Sequence, residues 1–238
     1  MKVAISFFGT GKYLDYLPRW YEKVEENFLP GIEKQILVFT DGDIEDIPEN
    51  ISIYQIEHKS WPYITLERFK SLLLAKEEIQ TYDWFVFIDA DALVVDKITE
   101  EEFFDNKPYI GVHHPCHFLQ MPPHNKYPGA FETNQYSTAS VGEDDDLSVY
   151  FQGCLWGGKV PEVIEMIENL DKNIQDDLSR DIIAQWHDES HLNHFYITRR
   201  DQVNVLGPEY AYPEVFAGYC EFDPKIVHLA KDNSKYQV

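Results

Sequence analysis

The 238-residue chain carries 42 Asp plus Glu against 20 Lys plus Arg, a formal net charge of −22. That balance excludes nucleic acid and anionic membrane as main partners, because both demand a basic face. The length suits one ordinary domain with a real core, read as residues 1–238, and the opening apolar run is too short for a signal peptide or a membrane span. Val3–Phe8 reads as a strand and Tyr13–Phe28 as a helix, with Leu14, Leu17, Tyr21, Val24 and Phe28 on one face. Gln35–Thr40 and Ile51–Ile56 follow as strands. Thr65–Ile79 is predicted as a helix capped by Thr65, with Leu66, Phe69, Leu72 and Leu73 inward, and Trp84–Ile88 as a buried strand. This β-α-β-β-α-β order predicts an α/β fold: an open, mostly parallel sheet flanked by helices, with ligands at the carboxyl ends of its strands.

The second half is less regular. Tyr109–Val112 and Val149–Trp156 read as strands, Pro161–Asn169 and Asp177–Tyr196 as helices, and Asn204–Leu206 and Lys225–Leu229 as short strands. Between them lies 115–146, a stretch rich in Pro, His, Ser, Thr and Asp. A loop of that length in a compact domain is usually functional. Cys116, Cys154 and Cys220 are odd in number and widely spaced, which points to a reducing compartment and a cytoplasmic protein.

Chemistry concentrates in a few places. The Trp84–Ile88 strand runs into Asp89-Ala90-Asp91, two carboxylates at a buried strand end. Ionised carboxylates there need a partner, and a hard divalent cation shared with a substrate phosphate supplies one. Phe8-Gly9-Thr10-Gly11-Lys12-Tyr13 follows a strand and offers a turn with an aromatic that can stack on a base, although it is neither a dinucleotide fingerprint nor a Walker loop. Gly153-Cys154-Leu155-Trp156-Gly157-Gly158 reads either as a bulge and turn or as a place where a bulky ligand approaches the backbone. In Trp186-His187-Asp188-Glu189-Ser190-His191, the two histidines share a helix face as in zinc hydrolases, but Asp188 stands where that motif needs Glu. An active site using Asp188 and Glu189 on a polar neutral substrate fits better than zinc or a solvated face. His113, His114, His117 and His124 lack a Cys or Glu at ligand spacing and read as loop hydrogen-bonders. The tail, with Lys225, Lys231 and Lys235 against only Asp232, is a local basic exception expected to close over a diphosphate.

The run Trp186-His187-Asp188-Glu189-Ser190-His191-Leu192-Asn193 resembles the signature of glycosyltransferase family 6, which includes the ABO blood-group transferases and the α-1,3-galactosyltransferases. Gly11-Lys12-Tyr13, Arg68, Asp89-Ala90-Asp91, His114-Pro115, the Gly153–Gly158 segment and Gly207-Pro208-Glu209-Tyr210 match in the same order. The resemblance implies a GT-A fold and retaining transfer of galactose or N-acetylgalactosamine from a UDP-sugar to a terminal galactose of a glycan, forming an α-1,3 linkage. Residues 1–96 become a nucleotide-binding half, 97–230 a half for donor sugar and acceptor, and 231–238 a mobile tail. Phe8, Gly9, Thr10 and Tyr13 would meet the uridine, and Arg68 and Asp89 the ribose and donor. Asp89 and Asp91 would bind Mn²⁺, with Mg²⁺ a possible substitute, and Lys231 and Lys235 would reach the diphosphate. His114, Trp186 and Glu189 would contact the acceptor. Asp188 would hold donor-sugar hydroxyls and Glu189 would face the anomeric carbon. Gln152, Gly153 and Cys154 would line the pocket beside the sugar's C2 substituent, where the size of Cys154 favours galactose. Many bacterial relatives replace both aspartates by asparagine and work without metal, so retention of Asp89 and Asp91 favours metal dependence. The lack of an anchor and stem like those of the vertebrate enzymes favours a bacterial or viral cytosolic member. A zinc hydrolase built on His187 and His191 is the alternative from another class. A noncatalytic glycan-binding module is a third reading, and it leaves the aspartates at the strand tip unexplained.

Overall fold

The computed structural model describes residues 1–216, 218 and 221–231. The first half runs β1 (Lys2–Phe8), α1 (Leu17–Asn27), β2 (Glu33–Thr40), β3 (Ile51–Gln55), then the short helices α2 (Tyr63–Leu66), α3 (Arg68–Leu72) and α4 (Lys76–Ile79), and β4 (Trp84–Ile88). The second half adds β5 (Ala92–Val94), α5 (Glu100–Phe103), β6 (Tyr109–His113), α6 (Pro115–Phe118), β7 (Phe151–Lys159), α7 (Val160–Ser179), α8 (His187–Ile197), β8 (Val203–Leu206), β9 (Tyr212–Pro213) and β10 (Ile226–His228).

Seven strands form a mixed sheet in the order β3-β2-β1-β4-β7-β6-β8, and β5, β10 and β9 form a second, three-stranded sheet. In the large sheet β7 pairs antiparallel with β4 and β6, while the other pairings are parallel. Strand β4 is buried along its whole length, as its unbroken apolar run requires. Alternate residues of β1 point to opposite faces. Val3, Ile5 and Phe7 pack with Leu17, Trp20 and Val24 of α1, whereas Ala4 joins Phe85 and Phe87 against Phe69 of α3 and Val163, Ile167 and Leu170 of α7. The result is a helix–sheet–helix sandwich of GT-A-like arrangement. Strand β7 accommodates close neighbours on both sides because it carries Gly157 and Gly158. A Cβ on Gly157 would lie 2.3 Å from the Phe85 carbonyl oxygen, and one on Gly158 would lie 2.4 Å from that of Pro108.

Three predicted helices are shorter or more broken than their periodicity suggested. The Tyr13–Phe28 segment opens as a 3₁₀ turn, Gly11–Tyr16, and becomes α-helical at Leu17, where Pro18 sits in the first turn and needs no hydrogen-bond acceptor. The Thr65–Ile79 segment is interrupted at Glu67 and Ala75, both with ψ near zero, and its first helical turn starts before Thr65. Thr65 does not cap it; its hydroxyl donates back to the Pro62 carbonyl at 2.8 Å. The Asp177–Tyr196 segment is not one helix. Helix α7 reaches Ser179 and stops because Asp181 adopts a left-handed conformation with φ of 58°, letting the Ile182 N–H close onto the Asp177 carbonyl at 2.9 Å. That is a Schellman-type end built on Asp instead of Gly.

The long 115–146 stretch is tied down by two buried carboxylates. Asp177 accepts the Ser137 hydroxyl at 2.6 Å, the Thr138 N–H at 2.9 Å and the Arg180 guanidinium at 2.7 Å. Glu132 accepts the N–H groups of Asn134 at 2.6 Å and Gln185 at 2.7 Å. Asp177→Ala would leave the Ser137 and Thr138 donors and the Arg180 charge without their acceptor. It is expected to lower stability by about 2–4 kcal/mol in urea unfolding. Limited proteolysis should find new cuts between residues 120 and 145.

Candidate active site

The site lies at the carboxyl ends of β1 and β4, where this topology leaves a crevice. A cavity of about 580 Å³ opens there, walled by Phe8, Gly9, Thr10, Tyr13, Arg68, Asp89 and Lys231 and by the segment His58–Trp61 with Ile64 and Thr65. Seven of the predicted donor-binding residues thus share one wall. The His58–Trp61 segment was not singled out from sequence. Its only signal was a His-Lys-Ser-Trp run immediately past the end of a parallel strand. Lys235 and the rest of the expected tail beyond Lys231 lie outside the described residues.

The aspartates are held by backbone. The Asp89 N–H donates to the Cys154 carbonyl at 2.9 Å, and its own carbonyl accepts the Trp20 indole N–H at 3.1 Å. The chain then turns into β5, where β10 pairs antiparallel and sets His228 opposite Ala92, while the Leu229 N–H donates to the Asp91 carbonyl at 2.9 Å. One ligand atom each from Asp89, Asp91 and His228 lies within 4.8 Å of the others, the only such cluster among the described residues. Asp91 Oδ1 and His228 Nε2 are buried with no hydrogen-bond partner. Two carboxylates and an imidazole with orphaned lone pairs form a donor set that can coordinate a divalent cation. Lys231 Nζ bonds to Asp91 Oδ2 and lies 4.7 Å from the Tyr13 ring centroid. Burial alone would raise the Asp91 pKa, but His228 and Lys231 outweigh it and hold the carboxyl below its ordinary value.

Arg68 joins this cluster to the predicted catalytic pair. Its guanidinium lies 3.0 Å from Asp188 Oδ2 and 3.8 Å from Asp89 Oδ1, and 4.4 Å from the centroid of the Phe87 ring. Next along α8, Glu189 is clamped by two donors. The Gly153 N–H reaches Oε2 at 2.7 Å and the Tyr150 hydroxyl reaches Oε1 at 2.7 Å. The Gly153 donor is available because β7 bulges away from β6: Gly111 pairs with Trp156 but Val112 pairs with Gln152. The bulge reading of this segment therefore holds, while the strand continues to Lys159 with no turn. Helix α8 is seated on the same strand by Asn193, whose side-chain amide accepts the Phe151 N–H and donates to its carbonyl, both at 2.7 Å. Gly153 meets Glu189 and the Cys154 carbonyl meets Asp89, but neither they nor Gln152 line the cavity of about 580 Å³; the Cys154 side chain packs in the core, and Gln152 Oε1 is buried without a partner among the described residues.

The histidines singled out in the sequence do not join His228 in the Asp89–Asp91 cluster. His187 meets Trp61 edge-on at 4.6 Å, whereas His191 is buried with Nε2 3.7 Å from Asp177. The two rings face different neighbours, which removes the geometric basis of a zinc hydrolase. His114 stacks on His124 at 4.5 Å and lies edge-on to Tyr150 at 5.7 Å. Its Nδ1 accepts the Cys116 N–H at 3.1 Å, so the ring proton belongs on Nε2, and burial lowers its pKa to about 3. Trp186, nearly half exposed, stands at the start of α8.

Burial raises the Glu189 carboxyl from its ordinary 4.5 to about 7, against the lowering effect of the Gly153 and Tyr150 donors. A carboxyl raised in the folded state favours folding fully only below its unfolded pKa and loses that contribution as pH rises through the folded value. Glu189→Gln removes the burden of an ionised buried group. Its stability should therefore match the wild type near pH 4 and exceed it increasingly between 4.5 and 7. The advantage should level off at about 3 kcal/mol above neutrality, read from thermal or urea unfolding at each pH.

The comparisons with known proteins agree with this geometry. The pattern of glycosyltransferase family 6 matches residues 1–237. The O-antigen biosynthesis glycosyltransferase WbnI of Escherichia coli is 29% identical over 238 residues, covering 99% of this chain and 97% of that protein. The globoside alpha-1,3-N-acetylgalactosaminyltransferase 1 of Mus musculus is 28% identical over 223 residues, and the match spans 62% of its length. The histo-blood group ABO system transferase 2 of Rattus norvegicus is 24% identical over 237 residues. Among the described residues, no helix is long and apolar enough to cross a membrane. The chain belongs to glycosyltransferase family 6, whose members transfer a sugar from a nucleotide donor.

Proposed function

We propose that this protein moves galactose or N-acetylgalactosamine from a UDP-sugar to a terminal galactose of a glycan, with retention, forming an α-1,3 linkage. The observation that carries the reading is Arg68, which joins the Asp89–Asp91–His228 cluster to Asp188 beside Glu189. Charge stabilisation for a diphosphate leaving group and for a developing oxocarbenium ion is thereby brought into one continuous network. The alpha-1,3 linkage in the names of several relatives supports the regiochemistry.

Phe8, Gly9, Thr10 and Tyr13 receive the uridine in the cavity, with Arg68 and Asp89 against the ribose. Asp89, Asp91 and His228 would hold Mn²⁺ or Mg²⁺, which supplies positive charge against the diphosphate. Lys231 adds a second cation at the same end. Asp188, fixed by Arg68, accepts hydroxyls of the donor sugar, and Glu189 presents negative charge to the anomeric carbon. His114 and Trp186 border the acceptor.

A donor screen by released UDP, with and without Mn²⁺, tests the proposal. UDP-galactose and UDP-N-acetylgalactosamine offered at equal concentration decide the sugar. Asp91→Asn should cut transfer steeply with the fold intact, and full wild-type activity in excess EDTA would contradict the metal assignment. Glu189→Gln should lower turnover on the order of 100- to 1,000-fold with UDP affinity little changed. Near-normal turnover in that variant would mean another residue faces the reacting carbon.

A further inference from the structure

We infer that Tyr150 is a positioning residue for Glu189: its hydroxyl, the one donor to Oε1 among the described residues, orients the carboxylate for transfer. The inference rests on the assignment of Glu189 to the reacting centre. It adds a residue from outside both the D-x-D motif and the Trp186–Asn193 run.

The geometry leaves Tyr150 little freedom. Its ring is fully buried and meets Phe131 edge-on at 5.0 Å, His124 at 5.3 Å and His114 at 5.7 Å. Its backbone carbonyl accepts the His114 N–H at 2.8 Å, and its hydroxyl donates to Glu189 at 2.7 Å. The residue is therefore pinned at both ends. Burial and the neighbouring Glu189 charge push the phenol well above its ordinary pKa, so it remains a donor at any working pH. With Gly153 on the other oxygen, each carboxylate oxygen has one donor, one a side chain and one a backbone N–H, three residues apart at the start of β7.

The charged and titratable groups facing Glu189 are Asp188 on its own helix, Arg68 on α3, Cys154 on β7 and Tyr150. Burial lowers the pKa values of His114, His117 and His124 around the phenol, so they bring no positive charge there near neutrality. Arg68 is engaged with Asp188 and Asp89. Removal of the Tyr150 hydroxyl thus leaves Oε1 without a replacement donor and favours the protonated acid. A purely structural role would predict something else. Tyr150 packs with Ala130, Phe131, Val141 and Ile197, and a phenylalanine keeps all of those contacts.

Tyr150→Phe separates the two. With glutamate labelled by ¹³C at its carboxyl and Glu189→Gln used to assign the resonance, the Glu189 midpoint can be titrated without any donor present. It should rise from about 7 in the wild type by about one to two pH units in the variant, the shift expected for loss of one hydrogen bond to a charged group. In transfer assays the acid limb of the kcat profile should move alkaline by the same amount. At pH 6.5 kcat should fall by about 8- to 75-fold, with KM for the donor within about twofold, and raising the pH should restore part of the loss. The double variant with Glu189→Gln should be no slower than Glu189→Gln alone. An unmoved titration, a kcat loss equal at every pH, or additive losses in the double variant would each overturn the role. The titration needs no donor, so a failed Tyr150 assignment and a failed donor assignment read out separately.

Discussion

Negative charge gathered in a dry place is the constraint on which this structure turns. Asp91 and Asp188 are buried and Glu189 lies beside them, at the same end of the sheet as Asp89. Carboxylates so close in a medium of low dielectric destabilise the fold unless cations or hydrogen-bond donors meet them. Each is met differently. Asp91 has Lys231 and His228, Asp188 has Arg68, and Glu189 has two uncharged donors. The uncharged solution is the one that leaves a carboxyl titrating near neutrality.

Secondary structure is subordinated to that arrangement. Helix α8 buries polar residues beside apolar ones. Leu192, Phe195 and Tyr196 join the core, but Asp188, Ser190, His191 and Asn193 are buried as well, so packing of a hydrophobic face alone does not explain why the helix lies where it does. Asn193 supplies the reason, because its amide mimics a strand neighbour and pairs with both backbone groups of Phe151. To its apolar contacts the helix adds a polar dock on one residue of β7, four positions along from Glu189. The breaks in the Thr65–Ile79 segment have a counterpart on the other side, where Arg68 begins α3 directly after the interruption at Glu67.

Much of this was legible in the chain. Strands β1, β2 and β4 declare themselves through apolar runs, and the two carboxylates after β4 carry their own chemistry because a charged pair at a buried strand end demands a partner. The run from Trp186 to Asn193 located the second half of the site. What stayed hidden depends on contacts between distant segments. The sequence predicts Lys225–Leu229 as a strand and Lys231 as a cation near the diphosphate, but the pairing of β10 with β5 that brings His228 against Asp91 joins segments over 130 residues apart and leaves no local signal. Tyr150 looks like the first residues of an ordinary strand until the loop before it folds back. The end of α7 was missed because Asp181 takes the left-handed position where a glycine would have been an obvious stop signal.

The irregularity in β7 has a consequence for the division of labour within that strand. Residues 153–155 pair with nothing on β6, while Leu155 still pairs with Ile88 on the opposite side. The ladder toward β6 resumes at Trp156. Backbone groups in that interval are released from the β6 ladder, and the Gly153 N–H is turned onto Glu189 at 2.7 Å without any slide in register against β4. The sheet thereby gives up one main-chain donor to the site while the side chains of Cys154 and Leu155 stay in its core, so one short interval serves the carboxylate through its backbone and the fold through its side chains.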